Sequence, residues 1–270
     1  MPWIHESLYQ PYRFCTAATP QSSASDTVDP SRNPPDKFYG VPMPNKAFVD
    51  RPAILESMET TLASGSPSDE CVTLALCGLG GMGKTQLMIR YCYLHRAKYD
   101  SIIWLGGDSR TAAFDAFLKL AIELGFSEET DKDNSEKAVT WVRLWLEKQK
   151  DWLLLLDNVD DLDILEFLPR FGGKIILTTR NFIPSANATT VHVHKMSEEE
   201  SLCLFLGPSL NNLEWKSDRY VQACEIVVEL DHMPLAIRLA RAYVDNTRTS
   251  FKDYLAQVKK KRGDLFKHRD

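Results

Sequence analysis

The sequence lacks several features that would assign it to a protein class at once. No run of apolar residues approaches the roughly 20 needed to span a bilayer, and the opening MPWIHESLYQ lacks the basic and apolar regions of a secretory signal. None of the 6 cysteines forms a C-x-x-C pair, so neither a zinc site nor a redox motif is indicated. These absences favour a reducing compartment. We expect a cytoplasmic protein that does not insert into membranes.

An excess of positive charge is also missing. The chain has 32 basic and 37 acidic residues, for a formal net charge of -5. A general nucleic-acid binder usually carries a basic face, so we expect no specific nucleic-acid binding. With 44% hydrophobic and 26% charged residues, the composition is typical of a soluble globular protein. The 270 residues suffice for one large domain, or for a core domain with a smaller satellite.

Five short apolar runs alternate with helical patterns from residue 71 onward. The runs are CVTLALC (71–77), SIIWLG (101–106), DWLLLLD (151–157), GKIILTT (173–179) and TTVHVHK (189–195). The first four are continuous, which is typical of parallel strands covered on both faces. Helical periodicity lies between them, over 84–97, 111–125 and 135–148. This alternation predicts an α/β fold with a five-stranded parallel sheet and helices on both faces.

The strand pattern stops after residue 196. Ser197 and Glu200 have capping-box spacing, and helical patterns follow at about 215–230, 234–245 and 250–261. These helices predict a small all-α bundle appended to the sheet. The predicted organisation is a flexible Pro/Ser-rich tail over 1–39, an α/β domain over 40–196, a helical subdomain over 197–262 and a basic tail over 263–270.

One glycine-rich loop carries the clearest chemical signal. Residues 78–85 have the pattern G-x-x-x-x-G-K-T, between a predicted strand and a predicted helix. Glycines let backbone N–H groups approach phosphate oxygens, and the start of the next helix adds its positive end. Lys84 is predicted to reach the β- and γ-phosphates, and the Thr85 hydroxyl to ligate Mg²⁺. The predicted phosphate-binding residues are Gly78, Gly80, Gly81, Met82, Gly83, Lys84, Thr85 and Gln86.

The segment WLLLLDNVDD supplies a second candidate. Asp157 ends an apolar run, where its carboxylate can hold Mg²⁺ through water, together with Thr85. Many P-loop ATPases have a second acid at the next position to polarise the attacking water. Here that position is Asn158, whose amide cannot accept the proton. Asp160 and Asp161 lie just beyond, with the wrong spacing for a direct replacement. We therefore expect at most a slow ATPase.

The third candidate is Arg180. The run SIIWLG falls between the P-loop strand and the Asp157 strand. This order suggests the branch of P-loop proteins in which the strand after Asp157 lies next to the P-loop strand. Its end, TTR (178–180), would then lie beside the γ-phosphate, where a guanidinium can detect that phosphate. The alternative is an ordinary surface arginine. If hydrolysis occurs, Lys84, Asp157 and Arg180 are the predicted catalytic residues.

Five blocks in this order resemble a known family. They are FVDRPAILESM (48–58), GLGGMGKTQL (78–87), LLLLDNVDD (153–161), KIILTTR (174–180) and HMPLAI (232–237). The chain resembles the NB-ARC domains of the signal-transduction (STAND) P-loop ATPases. The residues of its motifs are most similar to those of the fungal, NLR-like branch. These domains occur in death and immunity receptors of plants, animals and fungi.

The resemblance implies further site residues. In the family, the first block contacts the nucleotide base and neighbouring groups, which maps to Val49 and Arg51, and Pro234 packs on the adenine from the helical subdomain. ADP or ATP with Mg²⁺ would be the ligand. Asp50 and His232 stand where glycine is common in the family. The resemblance covers about 40–262 and ends before the family's winged-helix domain, so we expect a fragment or a truncated relative.

Three functions remain open on the sequence. The first is a signalling switch of the innate-immunity or cell-death type, in which ADP holds a resting state and ATP drives opening and homo-oligomerisation. The second is a working enzyme, either an ATPase or a small-molecule kinase. The polar stretch SEETDKDN is acidic, however, and does not look like an arginine-rich lid. The third is a truncated interaction module whose nucleotide is only structural.

Overall fold

The computed structural model describes residues 37–64, 70–125, 134–184, 188–212, 214 and 217–267. The predicted flexible tail lies outside these residues, apart from its last three positions. Residues 268–270 of the predicted basic tail also lie outside, whereas residues 263–267 continue the last helix.

Six parallel strands form one sheet in the described residues. They are β1 (Phe38–Tyr39), β2 (Val72–Cys77), β3 (Ser101–Gly106), β4 (Trp152–Asp157), β5 (Gly173–Thr179) and β6 (Thr189–His192). The spatial order is β1-β3-β4-β5-β2-β6. The five predicted strands are all present. The sixth, β1, pairs with Ile102 and Ile103 of β3 and is too short for its two residues to show any periodicity.

Eight α-helices accompany the sheet in the described part of the chain. They are α1 (Pro52–Ala63), α2 (Lys84–Leu94), α3 (Arg110–Glu123), α4 (Asn134–Glu147), α5 (Glu198–Leu206), α6 (Asp218–Glu229), α7 (Pro234–Thr247) and α8 (Phe251–Lys267). Short 3₁₀ turns lie at Arg96–Lys98, Leu162–Phe167 and Gly207–Asn212. The first four helices belong to the sheet domain, and α5–α8 form the predicted bundle.

Alternate residues of the strands enter two different cores. In β4, Leu154 and Leu156 pack into a cluster that contains side chains of α3 and α4. Leu153 and Leu155 point to the other face, into a cluster that contains side chains of α1 and α2. Because both faces are covered, every position of the strand interior must be apolar. This explains the continuous apolar runs and confirms the α/β sheet with helices on both faces.

The helical bundle has a core of its own. Leu202 and Phe205 of α5 pack with Ile226 of α6 and Ile237 of α7. The predicted capping box is present, since the Ser197 hydroxyl accepts from the backbone N–H of Glu200, and the Glu200 carboxylate accepts from the N–H of Ser197. The bundle therefore has its own apolar core, and the chain enters it from the sheet domain through the connection between β6 and α5.

Two further observations bear on the environment of the chain. No helix in the described ranges is long and apolar enough to cross a bilayer. The five described cysteines are free thiols.

Candidate functional site

The glycine-rich loop adopts the geometry that its sequence predicts. β2 ends at Cys77 and α2 begins at Lys84, so the loop joins a buried strand to a helix N-terminus. Gly81 and Gly83 have φ values of 80° and 89°, in the left-handed region where a Cβ is strained. The first turn of α2 thus presents its free N–H groups toward the loop.

Lys84 folds back over this loop. Its ammonium donates to the carbonyl oxygens of Gly78 at 2.7 Å and Leu79 at 3.0 Å. Partial burial lowers the pKa of the Lys84 ammonium below its usual range. The side chain is thus held at the mouth of the loop, where it can meet a phosphate.

The two predicted Mg²⁺ residues are brought together. The Thr85 hydroxyl donates to the Asp157 carboxylate at 2.8 Å, and the Thr178 hydroxyl donates to the same oxygen at 2.7 Å. A carboxylate and a hydroxyl are oxygen donors of the kind that Mg²⁺ prefers, with waters and phosphate completing its shell. Within the described residues, no cluster of three His, Cys, Asp or Glu side chains could hold a metal by itself. The residues present therefore fit a nucleotide-bound Mg²⁺.

Thr178 is a site residue that the sequence argument missed. It lies opposite Leu76 in the β2–β5 ladder, and its hydroxyl also accepts from the backbone N–H of Asn158 at 2.8 Å. The sequence did contain a clue to Thr178, because this residue belongs to the segment TTR (178–180) that identified Arg180. Its position follows from the strand order, which places β5 between β4 and β2.

Asn158 stands in a strained turn directly after β4. Its φ is 62°, a left-handed conformation that asparagine tolerates better than most residues. The Asn158 side-chain amide donates to the carboxylate of Asp108, which follows the end of the neighbouring strand β3. The carboxylate of Asp108 therefore lies beside Asn158, the position at which many P-loop ATPases have a second acid, although Asp108 follows β3 and not β4. Asp108 was not predicted.

Arg180 follows β5, next to the P-loop strand as predicted. Its guanidinium is paired with Asp160, with Nε 3.2 Å from one carboxylate oxygen and a second, closer contact to the other. This hydrogen bonding raises the pKa of Arg180 and lowers the pKa of Asp160. The pair is exposed to solvent, so it can open at small energetic cost.

Arg51 is bonded far more extensively. It is 5% exposed, and it donates to the carbonyls of Met82, His194 and Lys195 and to the carboxylate of Glu200, at 2.9 to 3.4 Å. One guanidinium therefore joins the P-loop, the connection after β6 and the first helix of the bundle. Its proposed contact with a base remains a prediction, since its donors are already directed to protein groups.

The helical subdomain reaches the P-loop through the start of α7. The backbone N–H of Leu235 donates to the carbonyl of Gly81 at 3.2 Å. The preceding turn places Asp231 and His232 at φ values of 55° and 53°, in the left-handed region. This geometry explains why glycine is common at the position of His232 in the resembling domains.

A cavity of about 390 Å³ lies between these parts. Its volume is within the usual range of small-molecule sites. The described lining residues are Asn45, Ala47, Phe48, Val49, Arg51, Gly80, Gly81, Met82, Gly83, Lys84, Thr85, Gln86, Asn158, Thr178, Arg180, Met196, Leu204, Pro234, Leu235 and Arg238. Of the predicted site residues, Gly78 and Asp157 do not line it. The lining residues that were not predicted come from the 45–48 segment, from the ends of β4 and β5 (Asn158 and Thr178), from Met196 before α5, and from the helical subdomain (Leu204, Leu235 and Arg238).

The charged residues that line this cavity are all of one sign among those described. Four of its described lining residues are cationic, namely Arg51, Lys84, Arg180 and Arg238, and none is acidic. The whole chain, by contrast, carries a net charge of -5. Arg51 and Arg180 are paired with Glu200 and Asp160, so Lys84 and Arg238 supply the positive charge that has no ion-pair partner among the described residues, which favours an anionic ligand.

The fold and the loop define a P-loop NTPase domain with a helical subdomain. The sequence model of the NB-ARC domain family matches residues 53–211, which is more than half of the chain. The chain therefore belongs to the NB-ARC family, as the sequence blocks indicated.

Three relatives come from different kingdoms. A nucleotide-binding leucine-rich repeat (NLR)-like protein of the fungus Hyaloscypha variabilis is 27% identical, over 92% of this chain and 27% of its own length. The regulatory protein AfsR of Streptomyces coelicolor is 28% identical over 75% of this chain and 21% of its own length. Disease resistance RPP8-like protein 3 of Arabidopsis thaliana is 24% identical over 77% of this chain and 24% of its own length. The chain thus spans about a quarter of the length of these curated relatives.

The similarity to a solved structure supports the fold and carries no information on function. The crystal structure of Cdc6p from Pyrobaculum aerophilum aligns with a TM-score of 0.52 and 13% identity, over 76% of this chain and 66% of that chain.

Proposed function

We propose that the chain is an adenine-nucleotide-binding NB-ARC module that acts as a nucleotide-dependent signalling switch. ADP holds the resting state, and ATP with Mg²⁺ drives opening and homo-oligomerisation. The names of the fungal and plant relatives favour innate-immunity or cell-death-type signalling in the cytoplasm.

The observation that carries this proposal is the cavity at the P-loop. It combines four cationic lining residues, no acidic one among those described, and a glycine loop that meets a helix N-terminus. A di- or triphosphate is the ligand that such a loop is suited to bind. The aromatic and aliphatic residues Phe48, Val49 and Pro234 line the same cavity and offer an apolar surface to a base.

A switch requires differential affinity for its two ligands. Arg180 is our candidate for this role, because its pairing with Asp160 can be exchanged for a γ-phosphate. Pro234 and Leu235 line the cavity from the helical subdomain, so a change in the ligand can be passed to that subdomain. Opening would break the Leu235–Gly81 hydrogen bond.

Hydrolysis is expected to be slow in this account. Asn158 occupies the position of the second acid and donates its amide to Asp108. Steady-state phosphate release above roughly one per second, the low end of typical enzyme turnover, would favour an enzyme over a switch.

The test of nucleotide binding is calorimetry with Mg-ADP on the nucleotide-stripped chain. We expect one site, and we expect Lys84→Ala to abolish measurable binding because the loop loses its phosphate cation. Lys119→Ala, which removes an exposed charge from α3, serves as the matched control and should bind like the parent chain. Unchanged binding by Lys84→Ala would refute the proposed site.

A further inference from the structure

Arg238 lies on the helical side of the cavity. It is the fifth residue of α7, one turn beyond Pro234, and both residues line the cavity. Residues four apart share a face of a helix, and helical side chains lean toward the N-terminus of their helix. The start of α7 is bonded to Gly81 through Leu235, so this direction is toward the P-loop.

Arg238 differs from the other three cations of the cavity in its partners. Lys84 donates to two loop carbonyls, Arg180 is paired with Asp160, and Arg51 is bonded to four protein groups. Arg238 is exposed and makes no hydrogen bond, ion pair or ring contact with any residue that the structure describes.

A neighbouring arginine on the same helix provides a contrast. Arg241 does not line the cavity, and its guanidinium pairs with Asp245 and donates to the carbonyl of Leu204. The bundle therefore offers local partners to an arginine on α7, yet Arg238 has none of them. An arginine that has no partner among the described residues, in a cavity lined by no described carboxylate, is available to an anionic ligand.

We propose that Arg238 is a nucleotide-binding residue that donates to the phosphates from the helical subdomain. The inference rests on the proposed function and extends it. The phosphates would then be held from two sides, by Lys84 and the loop on the sheet domain and by Arg238 on the helical subdomain. The ligand itself links the two parts, and the helical subdomain recognises the phosphate charge directly.

The experiment compares Mg-ADP affinity by calorimetry in the full 270-residue chain and in Arg238→Gln, Arg238→Lys and Arg248→Gln. We expect Arg238→Gln to weaken binding about tenfold, as a lost charge-assisted hydrogen bond would. Arg238→Lys should recover at least part of this loss, because a phosphate accepts from an ammonium. Arg248→Gln removes the same charge from the far end of α7, outside this cavity, and should bind within about twofold of the parent.

Each other outcome overturns the assignment in a recognisable way. If the parent binds ADP and Arg238→Gln binds within about twofold of it, Arg238 does not contact the ligand. If Arg238→Lys is as weak as Arg238→Gln, positive charge at this position does not account for binding, and the proposed phosphate contact is rejected. If the parent itself fails to bind ADP, the proposed function fails. The thermal midpoint of each variant, expected within about 2 °C of the parent for an exposed site, separates ligand contacts from misfolding.

Discussion

The two walls of the cavity are built differently. On the sheet side, the polar side chains are fixed by one another. Thr85 and Thr178 both donate to Asp157, and the guanidinium of Arg51 makes four hydrogen bonds to protein groups. On the helical side, Leu235 makes one backbone hydrogen bond to the P-loop and is 51% exposed as a residue, and Arg238 has no described partner.

This difference indicates that the two sides of the cavity have different roles. A wall whose donors and acceptors are already satisfied keeps its shape when a ligand arrives, so it can hold phosphate and Mg²⁺ without reorganisation. A wall with few bonds can move or reorder on binding, which is what a change of subdomain orientation requires. The predictions below test whether the two walls differ in this way.

The largest expected effect concerns Arg51. Arg51→Ala leaves three carbonyls without their donor and Glu200 without its cation, so we expect the free energy of unfolding to fall by about 3 kcal/mol. Arg238→Ala should change it by less than about 0.5 kcal/mol, because Arg238 is exposed. Urea denaturation of both variants measures the contrast. Equal losses would show that the two walls are equally fixed.

Arg51→Lys provides the control for charge. Lysine keeps the positive charge beside Glu200 but cannot reach all of the acceptors with a planar fork. We expect it to recover only part of the stability lost in Arg51→Ala. Full recovery would mean that charge alone accounts for the effect.

A smaller effect is expected at Asp160. Asp160→Asn removes the partner that holds Arg180 away from the ligand, so the ratio of ATP to ADP affinity should rise by about three- to tenfold. Stability should change by less than about 1 kcal/mol, because the pair is exposed. Calorimetry with both nucleotides measures the ratio, and Asp163→Asn, an exposed acid nearby, is the control. An unchanged ratio in Asp160→Asn would argue against Arg180 as the γ-phosphate sensor.

Much of the sheet side was predictable from the sequence. The continuous apolar runs fixed the strands, and the position of β3 in the chain indicated that β5 would neighbour β2. From that order alone, Asp157 and Arg180 are expected near the loop. These inferences succeed because local periodicity and the register of a parallel sheet carry the information.

The helical side was harder to predict. Pro234 was identified through resemblance alone, while Leu235 and Arg238 gave no signal, since their role depends on how α7 meets the P-loop. Arg51 was expected to contact the ligand, and only the tertiary structure reveals its four protein acceptors. Contacts between residues far apart in the sequence follow from packing, which no local pattern encodes.

The most direct test of the central claim is amide hydrogen exchange of the nucleotide-stripped chain with and without Mg-ADP. If the nucleotide lies between the two walls, ADP will slow exchange in residues 78–87 of the P-loop and also in residues 232–240 at the start of α7. Protection in 78–87 is expected because free N–H groups of the loop gain phosphate acceptors, and protection in 232–240 because the ligand adds to the Leu235–Gly81 bond between α7 and the loop. Protection confined to 78–87, or absent from both segments, would contradict the account.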